Sequence, residues 1–468
     1  MKKIISLGLL FVMMATSGFG CKGISQDVAA KMQPITINYW RVWDGPDNFS
    51  AIIAEYNKKH PNITIKYRKL RYDEYEKELV NALAEDRGPD IFSINATWMR
   101  RYASKIAVMP LEFTMAYPVE KGTIQKTIVP ELRKTRSISL TAIKNSFLET
   151  VYSDVVFDWE NPTTKNKELR VYGLPLAVDT MAMFFNRDLL NNANISELSP
   201  YWNKQFQTDV KKLTKQTTQG EIVQAGISLG TGTNIERSAD IMALLIMQNG
   251  GTIINSQNRA ALSENVSGKD YNPGMDALRF YSDFANPTKD VYTWNSTLDN
   301  SLQMFMDGRL AITFGYAYHL PTIKAQAPKL NFGILPIPQI EGGGGSKNVA
   351  DYWVETVSKK SKNINEAWDF IQFMTTIPEN TKLYLASSGR LTALRAIVEE
   401  QKINDNLSIF AKQLLTSHTW YHGYNNDVAE ASFKSMADSV AANPQNLVFE
   451  VRLASSKINS TLSQAKVQ

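Results

Sequence analysis

The sequence predicts an α/β protein built on parallel strands, and three observations carry the prediction. Short alternating apolar segments are each followed by an amphipathic helical segment, the connections between them are brief, and Gly, Pro or Asn marks most of the junctions. Residues 35–39 alternate apolar and polar as a half-buried strand does. Gly45-Pro46-Asp47 then breaks the chain and opens a helix in which Phe49, Ile52, Ile53 and Tyr56 share one face. His60-Pro61-Asn62 closes that helix, and residues 63–67 alternate again as a second strand. A second helix starts near Asp73 with Tyr75, Leu79, Val80 and Leu83 inward. Gly88-Pro89 ends it ahead of a third strand over residues 90–94.

Residues 115–170 are rich in Lys, Thr, Asn and Ser and are expected to elaborate this first unit. Residues 171–185 are again strand-like. Helices are expected over 239–249, closed by Gly250-Gly251, and over 298–307, closed by Gly308. A strand follows over 310–314. The four-glycine run at residues 342–345 predicts a flexible connection. Asn363 with Glu366 predicts a capping box before a helix presenting Ala367, Phe370, Ile371 and Met374. Beyond Thr381 the pattern is mostly helical, and no internal repeat is evident.

The N-terminus is of another kind. Met1-Lys2-Lys3 is followed by uncharged residues 4–19 and then by Cys21, the only cysteine in the chain. Such a segment predicts a secretory signal over residues 1–21, and a lone cysteine cannot close an internal disulfide. The segment resembles bacterial lipoprotein signals, which are cut before a cysteine that is then acylated. Gly20 fits that pattern, while Gly18 and Phe19 depart from the residues usual there. The remaining chain is of ordinary soluble composition, 43% hydrophobic and 21% charged, with no later apolar run long enough to span a bilayer. With 468 residues it has room for about two or three domains. A formal charge of +5, two units of it on Lys2 and Lys3, argues against nucleic acid as a partner.

Residues 175–192, running Pro-Leu-Ala-Val-Asp-Thr-Met-Ala-Met-Phe-Phe-Asn-Arg-Asp-Leu-Leu-Asn-Asn, resemble the signature of family 1 extracellular solute-binding proteins. Phe185 stands where that signature has tyrosine. Further likeness lies in Trp40, Trp43-Asp44, Gly88-Pro89-Asp90-Ile91, Asn95 and Trp98. It continues in Met306-Asp307-Gly308-Arg309-Leu310 and in the stretch from Ser358 to Trp368. The resemblance covers about residues 35–374, in the family's order. It implies a two-lobed periplasmic-binding-protein-like α/β fold with discontinuous lobes joined by crossing hinge strands. Lobe one would comprise 33–175 and 338–376, and lobe two 180–331 and 382–468. Crossings would lie near 174–180, 332–338 and Thr376. The chain would then be a monomeric, membrane-anchored solute carrier that delivers a small molecule, expected to be a carbohydrate, to the transmembrane subunits of an ABC importer. No cofactor, metal or catalytic residue is implied.

A sugar offers one face of C–H groups and a rim of hydroxyls, so aromatic rings and paired polar groups should hold it. On this fold Trp43 and Asp44 follow the first strand into the cleft, and Asn95 and Trp98 follow the third. Asp179 lies on the first crossing, Tyr316 and Tyr318 follow the 310–314 strand, and Trp294 sits in a polar loop. Trp353 opens the returning strand, and Arg390 follows Gly389. Trp40 is out of phase with Trp43 and belongs to the core. Tyr352 and Trp353 point to opposite faces of one strand.

Catalytic chemistry is poorly supported. His418 and His422 have the spacing of a zinc helix, but Thr419 stands where H-E-x-x-H requires glutamate, and a surface pair is expected. The glycine run lacks the lysine and hydroxyl residue of a phosphate loop. The alternatives left open are a surface glycan-degrading enzyme or adhesin, and a carrier of a polyol, a glycerol phosphodiester or a peptide.

Overall fold

A computed structural model describes Val28 and residues 31–123, 126–266, 268–404 and 407–463. The secretory segment and Cys21 lie outside the described residues. The first strands are β1 (Ile35–Arg41), β2 (Ile63–Lys69) and β3 (Ile91–Asn95), separated by the helices Asp47–Lys59 and Tyr72–Ala84. β1 runs parallel to both neighbours, in register with β2 from Ile35↔Ile63 to Arg41↔Lys69. Strand-helix connections of this kind bring the carboxyl ends of all three strands to one edge, where loops can line a site.

Two antiparallel hairpins follow, β4 (Glu112–Lys121) with β5 (Thr127–Arg136) and β6 (Val156–Glu160) with β7 (Lys167–Val171). They make up much of the expected elaboration. The chain then forms β8 (Asp179–Asn186), β9 (Lys215–Gln216), β10 (Ile222–Ile227), β11 (Leu310–Tyr316), β12 (Phe332–Leu335), β13 (Asn348–Asp351), β14 (Trp353–Val357) and β15 (Ser417–His418). The first sheet has the order β14-β3-β1-β2. The second has the order β15-β13-β8-β11-β10-β9, with β12 also on β8. β11 is buried along its whole length, and the helix Ser238–Gln248 beside it is buried nearly all round, as a helix inside a core must be. Two sheets with separate helical cover make two lobes.

Three segments tie the lobes together, and they differ in part from the expected ones. The residues between β7 and β8 are not one continuous strand. Leu174 bridges Glu355 of the first sheet, Ala177 bridges Thr392, and Thr180 already pairs with Ala350 in the second sheet. Gly173 passes so near Val354 and the Glu355 carbonyl that a Cβ there would collide with both. Residues 332–338, expected to cross, instead stay in the second lobe because β12 pairs with β8. The next stretch is held there as well, with the Gln339 N–H on the Pro200 carbonyl at 2.9 Å. The crossing falls at Tyr352, between β13 in one sheet and β14 in the other.

The later boundary also moves. The helix Pro378–Ser388, expected in lobe two, packs on Asp47–Lys59, and Asn48 Nδ2 donates to the Ser387 carbonyl at 2.9 Å. The chain rejoins the second lobe at Ser408–Gln413, where Gln413 Nε2 donates to the Met181 carbonyl at 2.9 Å. Three local expectations are corrected too. Val80 is exposed and Ala82 takes the inward place, because the Tyr75–Leu79–Leu83 stripe rotates Val80 toward solvent. Asn363 makes no side-chain cap, and Glu366 is drawn to Lys31 at 3.3 Å instead. His418 lies in β15 and His422 in an irregular loop, so they share no helical face.

Candidate functional site

A cavity of about 630 Å³ lies between the lobes, at the carboxyl ends of β1 and β3 and beside the crossings at residues 177–178 and Tyr352. Its first wall is aromatic. Trp43, 46% exposed, stacks on Tyr72 with centroids 5.0 Å apart and planes 22° from parallel. Trp353 meets Trp43 edge-on at 6.2 Å and Trp98 at 5.6 Å, and Trp98 is itself stacked on Tyr102 at 6.1 Å. Rings braced edge to face hold one another's orientation, so the outermost indole is a preformed platform.

Behind this wall the polar groups are already paired. The Asp44 carboxylate lies 3.2 Å from both the Arg41 and Arg390 guanidinium groups and accepts the Tyr384 hydroxyl at 3.0 Å. Despite burial, those cations hold its carboxyl below the ordinary range. Arg41 also reaches Glu355 at 3.4 Å, while its Nη1 is buried without an acceptor. Asn95 accepts the Thr97 N–H at 3.0 Å and donates to Asp351 at 2.7 Å, tying β3 to the end of β13.

On the crossing, Asp179 accepts the N–H groups of Thr180 (2.8 Å), Ala317 (3.2 Å) and Tyr318 (3.1 Å). Burial dominates and pushes its carboxyl up to about 7, against the lowering pull of Arg390 and the three amides. The opposite wall comes from lobe two. Tyr318 lines the cavity and stacks on Tyr316 at 5.3 Å. His319 accepts the Tyr316 N–H on Nδ1 at 2.9 Å, which leaves the proton of its neutral ring on Nε2. Burial moves its pKa down.

Eight of the ten residues expected at the site therefore line one cavity: Trp43, Asp44, Asn95, Trp98, Asp179, Tyr318, Trp353 and Arg390. Two do not. Trp294 is 0% exposed and packs in the lobe-two core, with Nε1 donating to Asn234 at 3.2 Å. Its loop is polar, but the indole turns inward where the alternation of a strand could not reveal it. Tyr316 is also 0% exposed and donates to Asp240 at 2.7 Å, so it supports Tyr318 from behind. Tyr352 is buried on the crossing and donates to Asp154 of the first lobe, which also accepts Thr419 Oγ1 at 2.7 Å. His422 is 3.2 Å from the same carboxylate.

Sequence reasoning missed a second set. Arg237 caps the helix Ser238–Gln248 in a left-handed conformation (φ 56°), unusual for a side-chain-bearing residue. Ion pairs to Asp240 at 2.6 Å and Asp351 at 3.4 Å hold it there. Trp420 donates to Asp240 at 2.7 Å, and Glu236, Asn426 and Glu430 complete this end. None of these belongs to a local motif. One motif was passed over: Gly226-Ile227-Ser228-Leu229-Gly230 has the spacing of a hydrolase nucleophile elbow. Ser228 is 0% exposed and its hydroxyl is spent on Thr313 at 2.9 Å, so the serine is structural.

The profile described as bacterial extracellular solute-binding protein matches residues 43–380. A binding protein of Brucella abortus is 22% identical over 362 residues, covering 76% of this chain and 75% of its own. The maltodextrin-binding protein of Bacillus subtilis is 25% identical over 266 residues, 53% of this chain and 56% of its own. Among solved structures, a sugar-binding protein of Xanthomonas citri superposes with a TM-score of 0.66 at 15% identity. That match covers 91% of this chain and 97% of the other.

Proposed function

The chain belongs to the bacterial extracellular solute-binding proteins, and from that premise we propose that it captures a sugar or short oligosaccharide and delivers it to an ABC importer. The observation that carries the reading is the Trp43–Tyr72–Trp353 platform, which fronts a cavity edged with carboxylates and amides. Flat rings cover the C–H face of a pyranose while paired polar groups take its hydroxyls. A volume of about 630 Å³ is in the range of small-molecule sites. The family and fold resemblances to sugar carriers point the same way.

Binding occurs between two rigid bodies, and closure is a hinge movement over the crossings near residues 172–178 and Tyr352. The protein binds without turnover. Calorimetry against a panel of oligosaccharides tests this: saturable binding with unchanged sugar is expected. Hydrolysed product, or binding confined to polyols, phosphodiesters or peptides, would overturn it. Cys21 carries the lipid that keeps the protein at the membrane. Mass spectrometry of the membrane fraction should find an acylated N-terminal cysteine, and Cys21→Ala should release the protein.

A further inference from the structure

The charges around the cleft do not balance, and the imbalance lies at one end. Seven carboxylates line the cavity against three guanidinium groups. All three cations are engaged: Arg41 and Arg390 with Asp44, and Arg237 with Asp240 and Asp351. Only Arg41 Nη1 keeps no acceptor, and it is buried on a guanidinium already shared between Asp44 and Glu355. The uncompensated anions gather where the helix Asn426–Ala442 meets the cavity. Glu430 has no ion pair among the described residues and accepts only Asn426 Nδ2, at 2.8 Å. Arg237 and Lys434 act on it from a distance, and burial still raises its carboxyl above the ordinary range. Glu236 lines the same end.

A second observation is independent of those charges. Asn426 is 7% exposed, lines the cavity, and its Oδ1 has no donor. Its amide orientation is set by Glu430, which requires the Nδ2 side as donor. The end of the cleft thus presents free acceptors and a surplus of negative charge, its Arg237 being held by Asp240 and Asp351. The Tyr72 ring, half of the aromatic platform, lines the same cavity as Glu430, whose charge, after burial, does most to raise the Tyr72 phenol above its ordinary range. Carboxylates beside an aromatic face are the chemistry that recognises an ammonium group. A smaller cavity of about 140 Å³ adjoins this end and shares Glu236, Arg237, Asp240 and Glu430 with the main one.

We propose that the solute is an amino sugar or an oligosaccharide containing one, and that its protonated amine docks against Glu430 and Asn426 at the Tyr72 end of the cleft. The inference rests on the sugar reading above and adds a charge to it. The test uses trisaccharides of glucose and of glucosamine, each with α-1,4 and with β-1,4 linkages, which differ within a linkage only by hydroxyl against ammonium at C2. Calorimetry at low salt should find the glucosamine trimer bound about tenfold or more tightly than its glucose counterpart. The ratio should shrink at about 0.5 M salt. Glu430→Gln, with folding checked by thermal melting, should lower the ratio several-fold. A glucose trimer bound as tightly as the amine, or a ratio indifferent to Glu430→Gln, would overturn this inference and leave the sugar reading standing. Failure of all four sugars to bind would also overturn this inference, while the sugar reading stands or falls on the wider oligosaccharide panel.

Discussion

Trp43 and Trp294 carry the same side chain and opposite assignments. Trp43 is half exposed on a braced platform, so Trp43→Ala should weaken sugar binding by about ten- to thirtyfold with little change in melting temperature. Trp294→Ala empties a fully buried site and removes one hydrogen bond to Asn234, and should cost about 3–5 kcal/mol of stability in denaturant unfolding. Equal losses of binding and stability in both variants would refute the division. Asp179 makes a prediction of a different kind. Its folded pKa is raised from 3.8 to about 7, so the folded state holds this proton where the unfolded chain has released it. Its stabilising contribution is complete below about pH 4 and is lost as pH rises through about 7, at up to about 1.4 kcal/mol per unit. Unfolding free energies of Asp179→Asn measured between pH 4.5 and 7.5 should lack that slope.

At the scale of elements, two glycines distinguish collision from backbone strain. Gly232 sits in the loop after β10, directly against the backbone of Lys434, and a Cβ there would overlap the Lys434 carbonyl. Gly232→Ala should therefore push the loop off the Asn426–Ala442 helix, costing about 1–3 kcal/mol and displacing Arg237 and Glu236 from the cleft. Gly389 ends the helix Pro378–Ser388 at φ 64° with open space around it. There Gly389→Ala should cost only about 1 kcal/mol, through the left-handed backbone. Binding affinity separates them, falling with stability in the first and changing little in the second. The same contrast explains what was legible. The β1–β3 succession declared itself through alternation and helical stripes, because each element buries one face of its own. The cap at Asn363 did not form: its amide turns to Asp90 of another segment, and Glu366 pairs with Lys31 outside its own helix.

At the scale of the molecule, the lobes meet across the mouth of the cleft through Arg101 and Asp427, 3.6 Å apart and both substantially exposed. Such a pair contributes at most about 1 kcal/mol. Arg101→Glu should thus weaken binding by up to about fivefold, chiefly through faster dissociation in stopped-flow measurements. X-ray scattering should show a smaller radius of gyration when sugar is added, and no change on saturation would contradict hinge closure. On the hinge side, Asp154 gathers Tyr352, Thr419 and His422 around one carboxylate and joins the lobes where their separation changes least.

The sequence by itself determined the α/β class, the order of the early strands and part of the cleft wall, because strand ends and family motifs are contiguous in the chain. It pointed to eight cavity residues on that basis. Only the tertiary structure decided that Trp294 and Tyr316 turn inward, that the second crossing lies at Tyr352, and that Arg237, Asn426 and Glu430 share the site. These facts depend on which distant segments pack together. Arg237 and Glu430 stand 193 positions apart in the chain, and no local periodicity encodes their meeting in one cavity.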